Sequence, residues 1–314
     1  MRWRVLVSAP YMQPVVDRFR ATFAEHGIEI IVPPVEERLS EKELLQWVGD
    51  VDGVVCGDDQ ITERVLQGAP RLRVISKWGT GVDSIDLVAC ERHGVSVRNS
   101  PNAFSEPVAD TVLGYVLCFA RNLLWLDSKM RDGVWAKRLS RALRECTLGV
   151  IGVGNVGKAV VRRAIAFGMR VLGNDIVDMP ADFVAESGIE MVGKEDLLRA
   201  ADFVSLNCDL NPTSFHLMSS AEFAAMKKSA VVVNTARGSI IDEAALVRAL
   251  QEAQIAGAAL DVFEEEPLPA DSLLWQIENV MLGPHNANSS PDAWERVHRN
   301  TIRSLIEVLE GSST

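Results

Sequence analysis

Short apolar runs alternate along the chain with segments that carry apolar residues three and four positions apart. The first pattern is typical of buried strands and the second of helices. In the first hundred residues the pattern predicts strands over 4–7, 28–32, 51–55, 72–76 and 95–98. It predicts helices over 14–26, 40–48, 62–67 and 85–93. Strands that alternate with helices form parallel sheets covered on both faces, so one α/β domain is predicted here.

A second α/β pattern begins at Thr147. Before it, the polar stretch 99–102 is predicted to be a hinge. Helical periodicity follows over 105–124, and 125–144 is basic and less regular. After Thr147 the pattern predicts six or seven strands, among them 189–192, 203–207, 230–234, 255–260 and 279–282. It predicts helices over 195–200, 220–226, 242–251 and 291–309.

The segment from Thr147 to Asp175 predicts a strand, a glycine turn, a helix, a second strand and an acid. Its turn fits G-x-G-x-x-G, with residues Gly152, Gly154, Asn155, Val156 and Gly157. The first glycine permits the tight turn, the second admits a pyrophosphate at the helix N-terminus, and the third lets helix and strand pack closely. Asp175 is placed to accept from a ribose 2′-hydroxyl. A glycine turn alone also fits an ordinary loop, but strand, helix and acid in register favour a dinucleotide site.

Composition and charge narrow the classes of function. The 314 residues are 47% hydrophobic and 24% charged, which suits two domains. A net charge of −11 disfavours non-specific binding of nucleic acid. There is neither a signal-peptide pattern nor an uninterrupted apolar run of membrane-spanning length, so a cytoplasmic protein without membrane contact is predicted. The five cysteines are scattered and lack C-x-x-C spacing, so reduced thiols and no metal site are predicted.

Three polar segments follow predicted strands of the second domain, at 234–238, 260–267 and 283–287. They contain Arg237, a run of three glutamates and His285. Open α/β sheets bind ligands beyond the carboxyl ends of their strands, so these segments are candidates for a site. Taken singly, the arginine also fits a helix cap at the surface, and the glutamates fit a solvated acidic turn.

Together the motifs resemble the D-2-hydroxyacid dehydrogenase family, which includes phosphoglycerate, glycerate, lactate and formate dehydrogenases. The matching stretches are KWGTGVD at 77–83, the glycine turn with its acid, NTARG at 234–238, LDVF with Glu-Pro between 260 and 267, and PHNA at 284–287. The resemblance implies two doubly wound parallel-sheet α/β domains. These are a flavodoxin-like substrate domain over 1–101 plus 286–314 and a Rossmann NAD-binding domain over 102–285.

The resemblance also implies roles for single residues. Arg237 would hold the substrate carboxylate and carbonyl oxygen, His285 would be the acid/base, and Glu266 would pair with it. The chemistry agrees, since an arginine fork binds a carboxylate in two places and a carboxylate beside a histidine favours its protonated form. Cofactor contacts are assigned to the glycine-turn residues, Asp175, Cys208, Thr235, Ala236 and Asp261.

The charge near the ribose favours NAD over NADP, because Asp175 would repel a 2′-phosphate and 176–178 contain no lysine or arginine. The chain departs from the usual family pattern at Asp110, Asp209 and Asn288. These departures concern local contacts with cofactor and substrate.

The substrate tail is assigned to two lysines. Lys77 precedes Gly79, Thr80 and Gly81, whose backbone amides resemble the family's carboxylate cradle, and Lys137 resembles a second basic position that reaches across a dimer. Together they favour a substrate with a second anionic group, such as 3-phosphoglycerate. A solvated basic stretch is the alternative for these residues.

The leading hypothesis is therefore an NAD-dependent D-2-hydroxyacid dehydrogenase acting on a small 2-hydroxy or 2-keto acid. A glycerate/hydroxypyruvate reductase is the alternative enzyme, and an NAD-sensing corepressor is the alternative from another class. A homodimer is predicted, because the helix over 105–124 carries more apolar residues than one monomer face needs, and because this region builds the subunit interface in the family.

Overall fold

The computed structural model describes residues 2–311. The chain divides into two compact units, Met1–Phe104 with Ser290–Thr314, and Ser105–Ser289. The sequence predicts these two boundaries at 101/102 and 285/286, a few residues earlier than the structure places them. Each unit contains one parallel sheet, with five strands in the first and seven in the second. The predicted fold class, two parallel-sheet α/β domains, is confirmed.

The first unit is built on a sheet with the order β2-β1-β3-β4-β5. Its strands are β1 (Trp3–Val7), β2 (Ile28–Ile31), β3 (Gly53–Cys56), β4 (Val74–Lys77) and β5 (Ser96–Arg98). Its helices are α1 (Arg20–Glu25), α2 (Glu41–Leu44), α3 (Glu63–Gln67) and α4 (Leu87–His93), with 3-10 turns at Gln13–Phe19 and Val48–Asp50. The central strands are buried on both faces, as their continuous apolar sequence requires.

The second unit has the strand order β12-β11-β10-β9-β6-β7-β8. The strands are β6 (Thr147–Ile151), β7 (Arg170–Asn174), β8 (Glu190–Met191), β9 (Phe203–Leu206), β10 (Val231–Asn234), β11 (Gly257–Leu260) and β12 (Val280–Leu282). The helices are α5 (Ser105–Arg121), α6 (Leu123–Arg131), α7 (Asn155–Ala166), α8 (Ala181–Ser187), α9 (Lys194–Ala200), α10 (Ser220–Ala225) and α11 (Glu243–Gln251). Short 3-10 turns lie at Leu143–Glu145, Gly238–Ile240 and Leu273–Gln276. The C-terminal helix α12 (Pro291–Glu310) belongs to the first unit.

The core of the second unit lies on both faces of its sheet. Val232 packs in one buried cluster and its neighbour Val233 in the other. This follows from strand geometry, since successive side chains point to opposite faces. The sheet is therefore covered on both sides, and its exposed margin for ligands is the carboxyl edge.

Several predicted helices differ from the observed ones. The predicted helix over 14–26 is a 3-10 segment followed by the shorter α1, and the helix over 40–48 is reduced to the single turn of α2. The helix over 105–124 ends at Arg121, because Asn122 adopts a left-handed conformation with φ of 54° that interrupts the helix. The structure also adds α6 and α8, which the sequence pattern did not predict.

Within residues 2–311, no single helix is long and apolar enough to cross a membrane. The consecutive helices α5 and α6 satisfy the length and composition criteria as a pair, with a bend of 60° between them.

Candidate active site

The glycine turn after β6 is shaped by steric limits at two of its glycines. Gly152 has a φ of 85°, and a Cβ atom there would lie 2.5 Å from the backbone nitrogen of Cys208. A Cβ atom on Gly157 would overlap the carbonyl oxygen of Gly152. Gly154 is the N-cap of α7, and a Cβ atom there would meet nothing within 4 Å. The turn is therefore tightly packed at Gly152 and Gly157, and it is open at Gly154, where α7 begins.

Asp175 is held against this turn by backbone donors. Its Oδ2 accepts a hydrogen bond of 2.6 Å from the Val153 nitrogen, and its Oδ1 accepts one of 3.0 Å from the Val177 nitrogen. The carboxylate is half-buried, and the side chains of Ile176 and Val177 beside it are exposed. The acid is thus fixed in place next to the helix N-terminus, with apolar neighbours along the chain.

Two other residues assigned to the cofactor have distinct surroundings. Burial raises the pKa of the Cys208 thiol to about 11, so this side chain is neutral at ordinary pH. The hydroxyl of Thr235 is buried, and within the described part of the chain it has no hydrogen-bond partner. A buried hydroxyl without a partner is costly unless a ligand supplies one.

The loop after β10 positions Arg237. Asn234 is buried, accepts from the Ala236 nitrogen at 3.1 Å and donates to the Arg237 carbonyl oxygen at 2.9 Å. A guanidinium nitrogen of Arg237 donates to the Ala236 carbonyl at 3.0 Å. A Cβ atom on Gly238 would overlap the backbone of Phe263, so the loops after β10 and β11 lie in direct contact.

Asp261 fixes the turn that carries His285. Its two carboxylate oxygens accept from the nitrogens of Asn286 at 3.1 Å and Ala287 at 2.7 Å. Its carbonyl oxygen accepts from the His285 nitrogen at 2.7 Å. Burial raises the pKa of this carboxyl, and the hydrogen bonds from Ala287 and Asn286 oppose that effect. The structure therefore shows Asp261 as a brace for the histidine turn, and its assignment to the cofactor stays a prediction.

His285 and Glu266 form a paired acid/base arrangement. Nδ1 of His285 lies 2.9 Å from Oε2 of Glu266, and Oε1 of Glu266 accepts from the Phe263 nitrogen at 2.9 Å. Both side chains are half-buried. An ionised carboxylate has no proton to donate, so Nδ1 of His285 must carry the proton in this contact. Proton exchange with a substrate is then left to Nε2. His285 itself has a φ of 52°, an uncommon backbone conformation for a residue other than glycine.

The residues assigned to the substrate tail are placed differently. Lys77 ends β4 in the first unit, is 3% exposed, and donates from Nζ to Oδ1 of Asp58 at 2.9 Å. The following loop is held by Ser100, whose nitrogen donates to the Gly79 carbonyl, and whose carbonyl accepts from the Thr80 hydroxyl. Lys137 lies in the second unit and is exposed. Lys77 is thus buried and paired with Asp58, and its assignment to the substrate tail stays a prediction.

The sequence pattern did not indicate the surroundings of His298 or of Asp58. His298 is buried in the first unit, and its Nδ1 accepts from the Trp78 indole at 2.9 Å. Burial lowers its pKa, which keeps the ring neutral. Asp58 was missed altogether, although two consecutive aspartates one glycine after an apolar strand were a readable signal. Asp110, a departure from the family pattern, is exposed and pairs with Arg163 at 2.6 Å.

Known proteins match this chain over most of its length. Residues 113–287 match the model for "D-isomer specific 2-hydroxyacid dehydrogenase, NAD binding domain". Glyoxylate reductase of Korarchaeum cryptofilum is 36% identical over 99% of this chain and 94% of its own. D-3-phosphoglycerate dehydrogenase of Rattus norvegicus is 36% identical over 94% of this chain, which spans 55% of that enzyme's length. A crystal structure of D-lactate dehydrogenase from Aquifex aeolicus with NAD and lactic acid aligns with a TM-score of 0.88 at 27% identity, covering 98% and 97% of the two chains.

The chain belongs to the D-isomer specific 2-hydroxyacid dehydrogenase family. It is accordingly an NAD-dependent oxidoreductase of the class that acts on CH–OH donors, with its NAD-binding domain in the second unit. The predicted family, cofactor and class of enzyme are confirmed.

Proposed function

We propose that Arg237, Glu266 and His285 carry out the interconversion of a D-2-hydroxy acid and its 2-keto acid. The observation that carries this proposal is the 2.9 Å contact between His285 Nδ1 and Glu266, on a turn that Asp261 braces. This contact holds an imidazole in one orientation at the carboxyl edge of the sheet. Such an oriented acid/base suits proton transfer at a carbonyl oxygen. Arg237 precedes Gly238, which lies against the loop that carries Glu266, and its fork suits the substrate carboxylate.

The second unit offers a cradle that fits NAD. The open face at Gly154, the N-terminus of the 12-residue helix α7 and the unpartnered Thr235 hydroxyl suit a pyrophosphate and its neighbouring polar groups. The fixed Asp175 carboxylate suits a ribose diol and disfavours a 2′-phosphate. When bound, the nicotinamide supplies or accepts the hydride.

The proton steps then belong to His285. In the reducing direction the protonated ring gives its Nε2 proton to the carbonyl oxygen as negative charge develops there. Glu266 stabilises the charged ring and keeps it oriented, since its other oxygen is anchored on the Phe263 nitrogen. In the oxidising direction the neutral ring takes the hydroxyl proton. Arg237 binds the substrate carboxylate with its planar fork throughout.

Two substrate classes are candidates. The first is a short 2-keto acid with an uncharged tail, of the glyoxylate or hydroxypyruvate type. The second carries a further anionic group, as 3-phosphoglycerate does, with Lys77 and Lys137 as the proposed cations. The first is favoured by the archaeal relative named glyoxylate reductase, which aligns over 94% of its own length.

We propose a homodimer whose interface is formed by α6 and the segment after it, and not by the apolar residues of α5. Val108, Val112, Leu113 and Val116 of α5 are buried inside the monomer, and the last three belong to its core, so these residues need no partner. Large apolar side chains are instead exposed on α6 and the segment after it, at Leu123, Leu124, Met130, Val134, Trp135 and Leu139. Exposed apolar surface of this extent is typical of an interface. The proposal of a cytoplasmic location rests on composition alone.

A panel of 2-keto acids with NADH tests the function directly. Turnover of at least one short 2-keto acid, followed at the nicotinamide absorbance, is the expected result. NADH binding without turnover of any 2-keto acid would contradict catalysis and would favour an NAD-sensing binding role.

A further inference from the structure

We infer that Tyr115 of α5 is a positioning residue, which holds the His285 turn in place through the carboxylate of Asp261. This inference rests on the proposed function, because it concerns the orientation of the proposed acid/base. It gives a role to a polar side chain of α5 that lies outside the glycine turn and the strand-end loops. All the residues involved belong to the second unit.

The helix α5 faces the His285 turn with two hydroxyl groups. Thr111 and Tyr115 are four residues apart, so they lie on one side of the helix. Oγ1 of Thr111 lies 3.4 Å from the carbonyl oxygen of Ala287, two residues beyond the histidine. This contact places the same side of α5, and Tyr115 with it, against the turn.

Gly283 leaves the space in which Tyr115 meets Asp261. A Cβ atom on Gly283 would overlap both Oδ1 of Asp261 and the hydroxyl oxygen of Tyr115. The two oxygens therefore converge on one side of this glycine, two residues before His285. Burial, and to a smaller extent the charge of Asp261, raises the pKa of Tyr115 to about 12. The hydroxyl therefore keeps its proton at ordinary pH and can direct its dipole toward the carboxylate.

The turn depends on the charge state of Asp261. Its ionised carboxylate accepts from Asn286 and Ala287 with one oxygen each, whereas a protonated carboxyl carries a hydrogen on one of those oxygens and accepts poorly there. Burial and the charge of Glu266 raise the pKa of Asp261, and the two backbone donors and the charge of His285 oppose them. A proton-bearing hydroxyl beside Oδ1 favours the ionised form as well, because a dipole directed at a carboxylate stabilises its charge.

Tyr115 is therefore placed to keep Asp261 ionised, and with it the two hydrogen bonds that hold the turn. His285 needs this support, since its φ of 52° is an uncommon conformation that persists only where the surroundings impose it. Cys118 acts on Tyr115 from the next turn of α5. Burial raises the pKa of Cys118, so its thiol is neutral and adds no competing charge at ordinary pH.

The first test compares Tyr115→Phe with the wild type in the pH dependence of kcat for reduction of the best 2-keto acid by NADH. His285 acts in its protonated form in this direction, so its own titration does not remove activity in acid. Protonation of Asp261 does, and loss of the hydroxyl raises the pKa of that carboxyl. On acidification, the kcat of Tyr115→Phe should therefore begin to fall at a higher pH than that of the wild type. Cys118→Ala, one turn along the same helix, is the matched control and should keep the wild-type profile.

A double-variant cycle shows whether the hydroxyl acts through Asp261. Asp261→Asn has no carboxyl to titrate at this position, so adding Tyr115→Phe should leave its pH profile of kcat unchanged. A hydroxyl that serves only the packing of α5 would have the same effect in both backgrounds. Identical acid limbs for Tyr115→Phe and the wild type, or an equal effect of Tyr115→Phe in the two backgrounds, would overturn the inference.

Thermal unfolding gives a second readout that needs neither turnover nor an Asp261 variant. Loss of the hydroxyl raises the pKa of Asp261 in the folded state alone, so it costs stability where that carboxyl is ionised and nothing where it is protonated in both states. At neutral pH the Tm of Tyr115→Phe should lie about 2–4 °C below that of the wild type, as for one lost polar contact in a domain of this size, and the gap should close as the pH falls. Absence of turnover in every protein would refute the proposed function alone. A gap of the same size at every pH, or no gap at neutral pH, would refute the role of Tyr115.

Discussion

Glu266 holds the ring of His285 with one carboxylate oxygen and the backbone of its own loop with the other. The Oε2–Nδ1 distance is 2.9 Å, and Oε1 lies 2.9 Å from the Phe263 nitrogen. A carboxylate anchored at both oxygens has little freedom to turn, so the histidine it contacts is oriented as well. Two loops that follow different strands thereby act as one unit in the proposed reaction.

Glu266→Gln should shift the pH dependence of keto-acid reduction. Reduction needs the protonated ring, which the negative charge of Glu266 favours. Removing that charge destabilises the protonated form, so the activity of the variant should fall off at a lower pH than that of the wild type. The measurement is kcat/KM against pH. Glu265→Gln, at the exposed neighbouring position, is the control and should keep the wild-type profile.

Gly157→Ala and Gly154→Ala should separate folding from cofactor binding. A Cβ atom on Gly157 overlaps the Gly152 carbonyl, so this variant should lose about 1–3 kcal/mol of stability and bind NADH weakly. A Cβ atom on Gly154 meets no protein atom, so that variant should keep its stability and lose NADH affinity. Thermal unfolding and NADH titration measure the two effects. Loss of Tm in Gly154→Ala, or normal NADH affinity in it, would argue against the open cradle.

Asp175→Ala should relax the choice of cofactor. The carboxylate faces the ribose in the proposed binding mode, where it favours a 2′-hydroxyl and repels a 2′-phosphate. The ratio of kcat/KM with NADH to that with NADPH should fall by about tenfold, in line with the loss of a charged hydrogen-bond acceptor. Asp178→Ala, at an exposed position three residues on, should leave the ratio in place. An unchanged ratio in Asp175→Ala would place the discrimination elsewhere.

Trp135 and Leu139 should contribute to a dimer interface. Their side chains are 82% and 96% exposed, more than burial in the monomer would leave for large apolar groups. The joint variant Trp135→Ser, Leu139→Ser should be monomeric by light scattering at micromolar concentration, while the wild type is dimeric. Leu273→Ser, another exposed leucine in the second unit, is the control. A monomeric wild type would refute the dimer.

Much of the site could be predicted because its information is local. The glycine turn depends on spacing within one loop, and the catalytic candidates follow strand ends that apolar runs reveal. The pairing of Lys77 with Asp58 could not be predicted with equal ease, because it requires β3 and β4 to be neighbours in the sheet. The same limit explains α5, whose apolar residues suggested a partner subunit. They pack in the monomer core, and only the three-dimensional arrangement distinguishes the two uses.

The break at Asn122 shows a further limit of sequence patterns. Apolar residues continue past it at Leu123 and Leu124, so the periodicity extends the helix. The backbone of Asn122 turns left-handed, a conformation that asparagine tolerates better than most residues. A single residue thus ends the helix where the hydrophobic pattern does not.

Turnover and NADH affinity of His285→Asn, measured side by side, test the proposed reaction most directly. Asparagine tolerates the left-handed backbone that His285 adopts, so the turn should be preserved. Loss of the acid/base should lower kcat by about 10²–10⁴-fold, with NADH affinity close to that of the wild type. His216→Asn, a surface histidine that contacts Glu264, is the matched control and should retain full activity. Near-normal turnover by His285→Asn on the best keto acid would contradict the assignment of this histidine as the proton donor.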